Sequence, residues 1–249
     1  MKFAYYGNFG RHNTESHIAE ALEDFGHEVI RLSQNSFELP ECDYRMFAKL
    51  TSHYVINASK EPTICWLFDL YRDFPGRTFK EPMFRADYVF TTDGGDQFDT
   101  IRQGIRKADK YEVKSKKTRD VIFVGSPYTK ERVEMIKRTN ATLIQNIRGR
   151  SLNELLGETK IVLGDSYPAD NYWSNRVYEI TGRGGFLIHP KTIGLPDYIP
   201  QFERGKEQEM VGHFLQNPKE RERIRKIQFK NCPTYHDRVK ELLEKIPNK

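Results

Sequence analysis

Short apolar segments, each ended by a polar or glycine-containing loop, recur along this chain and constrain its fold more than any other feature. They are rich in aromatic and β-branched residues and too short for helices, which is typical of buried parallel strands. Strands are therefore predicted at residues 2–6, 27–32, 54–57, 63–68 and 88–91 of the first half, and at residues 121–126, 141–145, 160–164 and 186–190 of the second.

Helical patterns alternate with these strands. Apolar residues recur with a helical period over residues 18–25, Asn13 or Thr14 can cap this helix, and Gly26 supplies the left-handed residue that ends it. A further helix begins after Thr129, and helical patterns also occupy residues 206–215, 218–230 and 239–246. The alternation predicts an α/β protein with two Rossmann-like domains in tandem, followed by C-terminal helices.

A basic segment at residues 102–119 marks the predicted division between the two domains. It holds Tyr111 among eight Lys and Arg residues and lacks apolar periodicity. We place the domains at residues 1–112 and 113–249. The segment has two interpretations: a solvated linker, or a surface that follows the phosphate backbone of a nucleic acid.

Composition narrows the class of protein. The chain has 249 residues, a net charge of +5 and three widely spaced cysteines, so neither a disulfide framework nor a zinc site is expected. The longest strongly apolar run, residues 63–68, is far shorter than the ~20 residues of a membrane span, and the N-terminus lacks an apolar leader. We expect a cytoplasmic protein without a membrane span.

The segment at residues 174–191 carries the most informative chemistry. Asn175, Arg176 and Glu179 fall on a short predicted helix, and Gly184 and Gly185 precede an apolar strand. Backbone amides and an arginine can neutralise a diphosphate, while a carboxylate can bind the hydroxyls of a ribose. The simpler interpretation is a helix C-cap, a tight turn and a surface ion pair.

These residues also carry a resemblance to a known family. The chain resembles the C-terminal domain of GT-B glycosyltransferases, in particular the group similar to the spore maturation protein CgeB, over about residues 121–246. The similar segments read SNRVYEITGRGGFLIHPK, LPDYIP, NPKERERIRK and TYHDRVKELL. The resemblance implies a GT-B fold and a nucleotide-sugar donor in the second domain, with Glu179 near its ribose.

One position departs from the family pattern. Retaining members often carry a second glutamate eight positions before the ribose-binding one, where this chain has Asn171 beside Asp170. The sequence therefore does not decide whether the anomeric configuration of the transferred sugar is retained or inverted.

Ser126 and Arg148 complete the predicted donor-binding set. Each follows a predicted strand of the second domain, where it can contact a phosphate, although Ser126 can equally cap a turn and exposed arginines are common. No P-loop, complete dinucleotide fingerprint or DxD pattern is present. We therefore expect a metal-independent enzyme with no cofactor besides its nucleotide-sugar co-substrate, for which a UDP-sugar is the expected form.

Catalysis by inversion needs a base that removes the proton of the acceptor hydroxyl. Asp69 follows the strand at residues 63–68 and is our first candidate, although it can instead cap a helix or pair with Arg72. His12 is the second candidate, because a helix N-terminus holds a histidine neutral.

Gly10, His17 and Asp93 are predicted on the acceptor side. All three lie in or next to loops that follow strands of the first domain. The predicted function is glycosyl transfer to an acceptor hydroxyl, with a modified base in DNA as one acceptor. Two alternatives are a nucleotide-sugar epimerase and a non-catalytic binding or structural protein that retains the fold.

Overall fold

The computed structural model describes residues 1–48, 54–68, 85–92, 98–165 and 172–247. The chain divides into two compact units, Met1–Gln103 with Tyr235–Lys249 and Gly104–Thr234. Each unit contains a parallel β-sheet with helices packed against it, which confirms the predicted α/β class with two Rossmann-like domains. Among the helices that can be described, none combines the length and apolarity that crossing a membrane requires.

The first unit has a parallel sheet with the strand order β2-β1-β3-β4-β5-β6. Its strands are Lys2–Gly7 (β1), Glu28–Ser33 (β2), Tyr44–Phe47 (β3), Thr63–Leu67 (β4), Tyr88–Thr91 (β5) and Asp99–Thr100 (β6). Its helices are Thr14–Asp24 (α1), Tyr54–Ala58 (α2) and, from the end of the chain, Tyr235–Lys245 (α8).

Alternate residues of β1 show why this sheet is covered on both faces. Phe3 and Tyr5 are fully buried in a core shared with α1 and α8. Ala4 and Tyr6 are equally buried on the opposite face, in a second core that includes Val55 of α2. A strand buried on both faces must be apolar throughout, and this explains the unbroken apolar run of β1.

The second unit has a parallel sheet with the strand order β11-β10-β9-β7-β8. Its strands are Arg119–Val124 (β7), Thr142–Ile144 (β8), Thr159–Leu163 (β9), Leu187–Pro190 (β10) and Gln201–Phe202 (β11). Its helices are Lys130–Arg138 (α3), Gly149–Glu158 (α4), Arg176–Thr181 (α5), Glu207–Gln216 (α6) and Pro218–Asn231 (α7). Ile122 of β7 packs with α4 and α5, whereas Phe123 faces α3 and α6.

Several local predictions are confirmed. Thr129 caps α3, with its Oγ1 accepting from the backbone N–H of Arg132 at 3.2 Å. Pro218 is in the first turn of α7, and Gly26 has a φ of +83° after α1. The strand predicted at residues 54–57 is wrong, because Tyr54–Ala58 forms the helix α2. Strands β3, β6 and β11 and helix α4 were not predicted.

The division between the units differs from the predicted one in two respects. Residues 104–112 belong to the second unit, where Ile105 is fully buried in the core and Asp109 pairs with Arg183 at 2.8 Å. Helix α8 belongs to the first unit, because its apolar face packs in the core beside α1. The start of the basic segment is therefore packed structure, whereas residues 114–116 are exposed.

Leu242→Ala tests the position of α8. Leu242 is fully buried in the core of the first unit, so we expect a loss of about 2–5 kcal/mol in the free energy of unfolding. Glu244→Ala, at an exposed position of the same helix, should change it by less than about 0.5 kcal/mol. The measurement is urea unfolding, and equal small effects in the two variants would contradict the packing of α8.

Candidate functional site

Polar residues gather at the carboxyl edge of the second sheet. Gly125 follows β7, Asp165 follows β9, His189 lies near the end of β10, and Arg176 begins α5. The strands are parallel, so their carboxyl ends meet at one edge, which is where open α/β sheets bind ligands.

Arg176 lies over the side chain of Phe123, with its Cζ atom 4.7 Å from the ring centroid. Gly125 makes this position available, because a Cβ atom there would collide with Arg176 Nη2 and the φ of +135° disfavours any other residue. Arg176 Nη1 is buried and has no hydrogen-bond partner among the described residues.

The electrostatic state of Arg176 is unfavourable. Burial and, to a lesser extent, the nearby charge of Arg132 lower its pKa to about 10, while the carboxylate of Asp165 partly opposes both effects. Burial of an unpaired cation destabilises the folded state. An anionic ligand at Arg176 would remove this penalty.

Arg132, by contrast, has hydrogen-bond partners for two of its nitrogen atoms. Its Nε atom donates to Asp165 Oδ2 at 2.8 Å and its Nη1 to the carbonyl of Ser126 at 2.6 Å. Arg204 Nη1 lies 3.5 Å from the other Asp165 oxygen. The buried carboxylate of Asp165 thus lies near Arg132, Arg176 and Arg204. This part of the site therefore has an excess of positive charge.

His189 is buried at the end of β10, with 1% of its surface exposed. Its Nδ1 atom lies 2.8 Å from the carbonyl oxygen of Pro190. A carbonyl oxygen can only accept, so Nδ1 carries the proton and Nε2 is an acceptor. Burial lowers the pKa of His189 to about 4, and Nε2 has no partner among the described residues.

Ser174 Oγ and Asn175 Oδ1 are also buried without a hydrogen-bond partner in the described part of the chain. With Arg176 and His189 they bring four such atoms to one region. Each unsatisfied buried polar group costs roughly 1–3 kcal/mol, so native proteins seldom concentrate them. The cluster combines a positive donor with acceptors, which suits a ligand that carries both an anionic group and hydroxyl groups.

Glu179 lies one turn after Arg176 on α5. Its Oε2 atom accepts from Arg183 Nε at 2.9 Å, and 21% of its side chain is exposed. Arg183 is buried and also donates to Asn153 Oδ1 at 2.5 Å and to Asp109 Oδ2 at 2.8 Å. Glu179 therefore has a structural contact beside any contact with a ligand.

Gly184 and Gly185 lie in the turn beyond the opposite end of α5, whose six residues rise about 7.5 Å from Arg176 to Thr181. A Cβ at Gly184, where φ is +78°, would meet Glu112 Cγ at 2.8 Å, and one at Gly185 would meet Ile180 Cγ2 at 2.7 Å. These contacts explain both glycines by packing, as in the simpler interpretation of the sequence.

Ser126 and Arg148 both lie in loops that follow strands, as predicted. Ser126 is partly buried after β7, and Arg148 is exposed directly before α4. Arg150, the next arginine, pairs with Glu154 of α4 at 2.9 Å. The residues that the structure describes include no group of three His, Cys, Asp or Glu side chains that could hold a metal ion.

The site residues predicted in the first unit lie in several different environments. Gly10 and His12 are exposed in the turn before α1, where the Gly10 carbonyl accepts from Ser16 Oγ at 2.9 Å. His17 is buried, 5.6 Å from the ring of Tyr235, and belongs to the packed interior. Asp69 and Asp93 lie outside the described residues.

Sequence reasoning missed three parts of this site. His189, Gly125 and Asp165 were not identified from the sequence. The position of these residues in the sequence could have indicated the site. Gly125 directly follows an apolar strand of the parallel sheet, and Asp165 follows another strand after one intervening residue.

Comparisons with known proteins identify a family and a fold. The profile of a family described as glycosyl transferase-like matches residues 106–244, more than half of the chain. A DNA-modifying β-glucosyltransferase, solved with and without its substrate uridine diphosphoglucose, has a TM-score of 0.59 and 13% identity over 98% of this chain and 96% of its own. An α1,3-fucosyltransferase with GDP-fucose has a TM-score of 0.56 and 10% identity over 98% and 89%. No curated protein matches significantly.

The pKa of His189 predicts how stability depends on pH. The folded value of about 4 lies below the ordinary value of 6.5, so between these values the unfolded chain binds a proton that the folded chain does not. Stability therefore falls as pH decreases through this window. From about pH 7.5 to pH 5, His189 should account for a loss of about 2 kcal/mol.

The measurement is urea unfolding at both pH values for the native chain and for His189→Leu. Other groups titrate in both proteins, so the difference between their pH dependences isolates His189. Identical pH dependences would show that the imidazole is not held neutral.

Proposed function

Because the chain belongs to the glycosyl transferase-like family, and its two α/β units match glycosyltransferases of the GT-B fold, we propose that it transfers a sugar from a nucleotide-sugar donor to an acceptor hydroxyl. One observation carries the proposal: Arg176 is a buried cation without a hydrogen-bond partner for Nη1 in the described residues. It lies at the edge of the sheet where such folds bind ligands.

The diphosphate of the donor would bind at Arg176. Its oxygens can accept from the guanidinium and return the pKa of Arg176 toward its ordinary value, while Arg132 adds positive charge nearby. During transfer, the leaving diphosphate gains negative charge. Fixed arginines can stabilise that charge electrostatically without a metal ion, so we propose a metal-independent reaction.

The nucleoside would extend from the diphosphate past Glu179 toward the loop before α4. Glu179 would accept from a ribose hydroxyl, and Arg148 would lie near the phosphates or the base. The two solved neighbours were studied with UDP- and GDP-sugars. We propose UDP as the nucleotide and GDP as the first alternative.

The acceptor is proposed as a hydroxyl compound, with a modified base in DNA as one candidate. The basic segment at residues 102–119 supports that candidate less than its composition suggests. Lys110 donates to the carbonyl of Cys232, Lys117 donates to that of Leu156, and Arg119 pairs with Glu158. Asp69 or His12 would act as the base in an inverting transfer.

Within the family, we place the chain in the CgeB-like group on the segments around residues 174–191 and 217–246. The family match supports transfer over the two alternatives, epimerisation and non-catalytic binding. An epimerase would convert a nucleotide-sugar without any acceptor, which a chromatographic assay of the donor alone would reveal.

Arg176→Met tests the donor site. We expect the affinity for the best-bound nucleotide among UDP, GDP, dTDP, ADP and CMP to fall by about ten- to a hundredfold, because a charge-assisted contact is lost. The free energy of unfolding should stay equal or rise, because a buried cation whose Nη1 atom has no hydrogen-bond partner among the described residues is replaced by an apolar side chain. Calorimetric titration and urea unfolding measure the two quantities.

Arg119→Met is the matched control. Arg119 begins β7 at the opposite edge of the same sheet and is exposed, so nucleotide affinity should not change. Unchanged nucleotide affinity in Arg176→Met would show that the diphosphate does not bind at Arg176. A native chain that binds none of the five nucleotides would favour a non-catalytic protein.

A further inference from the structure

His189 is a buried side chain to which the proposed function gives no role. It lies in the same region as Arg176, and its Nε2 atom is one of four buried polar atoms in that region that have no hydrogen-bond partner among the described residues. A histidine that only filled the core would leave this nitrogen without a hydrogen-bond partner, which destabilises the folded state.

The orientation of the imidazole is fixed by its surroundings. Nδ1 donates to the Pro190 carbonyl at 2.8 Å, and Thr192 Oγ1 lies 3.3 Å from the same nitrogen. The ring rests against the backbone of Gly164, where the Cβ of any other residue would collide with it. Nε2 therefore presents its lone pair in a single direction.

The neighbouring charges decide what this lone pair can bind. Asp165, Arg176 and Arg204 are close enough to affect the pKa of His189, and burial keeps the ring neutral near neutral pH. A neutral acceptor cannot bind phosphate oxygens, which are acceptors themselves. It can bind a hydroxyl group, and the ligand proposed for Arg176 carries hydroxyls on both sides of its diphosphate.

We propose that His189 Nε2 accepts a hydrogen bond from a hydroxyl of the sugar that is transferred, which makes His189 a specificity-determining residue. The inference rests on the proposed function, because it places the diphosphate at Arg176 and the ribose at Glu179. The remaining hydroxyls of the donor belong to the sugar. Asn175 Oδ1, a second buried acceptor, lies beside Arg176 in the sequence and can take another of them.

A buried acceptor discriminates strongly between sugars. A site that hydrogen-bonds a substrate hydroxyl rejects the analogue that lacks it, because the protein group is then left unpaired. The enzyme should therefore select donors with a hydroxyl at one particular position of the ring.

The test compares nucleotides with and without their sugar. Calorimetric titrations use the full chain, His189→Leu and His189→Gln with UDP, UDP-glucose, GDP and GDP-fucose. One nucleotide and its nucleotide-sugar should bind the native chain. For that pair, His189→Leu should lower the affinity for the nucleotide-sugar by about tenfold and the affinity for the bare nucleotide by less than about twofold. His189→Gln, whose side-chain carbonyl can take the place of Nε2, should retain most of the affinity.

A second measurement needs no stable variant. UDP-glucose and its 2-, 3-, 4- and 6-deoxy analogues are titrated against the native chain, and one analogue should bind about tenfold more weakly. In His189→Leu the same analogue should show no further loss, because the two changes remove the same contact. Equal affinity for all five donors would overturn the inference.

The other outcomes separate this inference from the proposed function. Equal losses of UDP and UDP-glucose in His189→Leu would assign Nε2 to the ribose and overturn the inference. Native affinity in that variant would overturn it as well, while leaving binding that depends on Arg176 intact. A native chain that binds none of the four ligands would overturn both.

Discussion

The candidate site of the second unit is arranged around one buried charge, the guanidinium of Arg176. It lies over the Phe123 ring, and its place is kept open by Gly125, whose backbone adopts a conformation that other residues avoid. Burial lowers its pKa, and Nη1 finds no partner among the described residues. A fold selected for stability alone would place an apolar side chain there. The charge is explained when its partner is a ligand, and local violations of folding rules tend to mark functional sites.

The fold was largely predictable because buried parallel strands carry a strong local signal. The failures occurred where tertiary contacts override that signal. Strand β3 contains Arg45, which interrupts the apolar run but is buried through its contact with Glu61 at 2.7 Å. The segment at residues 54–57 is too short to distinguish a strand from a helix by periodicity. The division between the units was displaced because ion pairs such as Asp109–Arg183 bind the basic segment to the second unit.

The candidate site was predictable in part. Residue types and strand position selected Arg176 and Glu179 as candidates, but did not show that buried polar atoms without a described partner lie at the start of α5. The sequence therefore grouped Gly184 and Gly185 with Arg176, although the helix α5, with a rise of about 7.5 Å, lies between them and side-chain packing accounts for both glycines. His189 could not be identified as an acceptor, because its protonation depends on the Pro190 carbonyl and its position on Gly164, which only becomes its neighbour in the folded sheet.

The buried polar atoms of this site that have no described hydrogen-bond partner differ in their chemistry. Arg176 offers a positive donor, whereas His189 and Asn175 offer acceptors. A phosphate alone would satisfy the first and repel the others, and a sugar alone would leave the cation unpaired. A nucleotide-sugar carries the diphosphate and the hydroxyl groups on one molecule. The desolvation cost built into the folded chain would therefore be relieved fully only by the intact donor, so a single arrangement would serve both binding and discrimination.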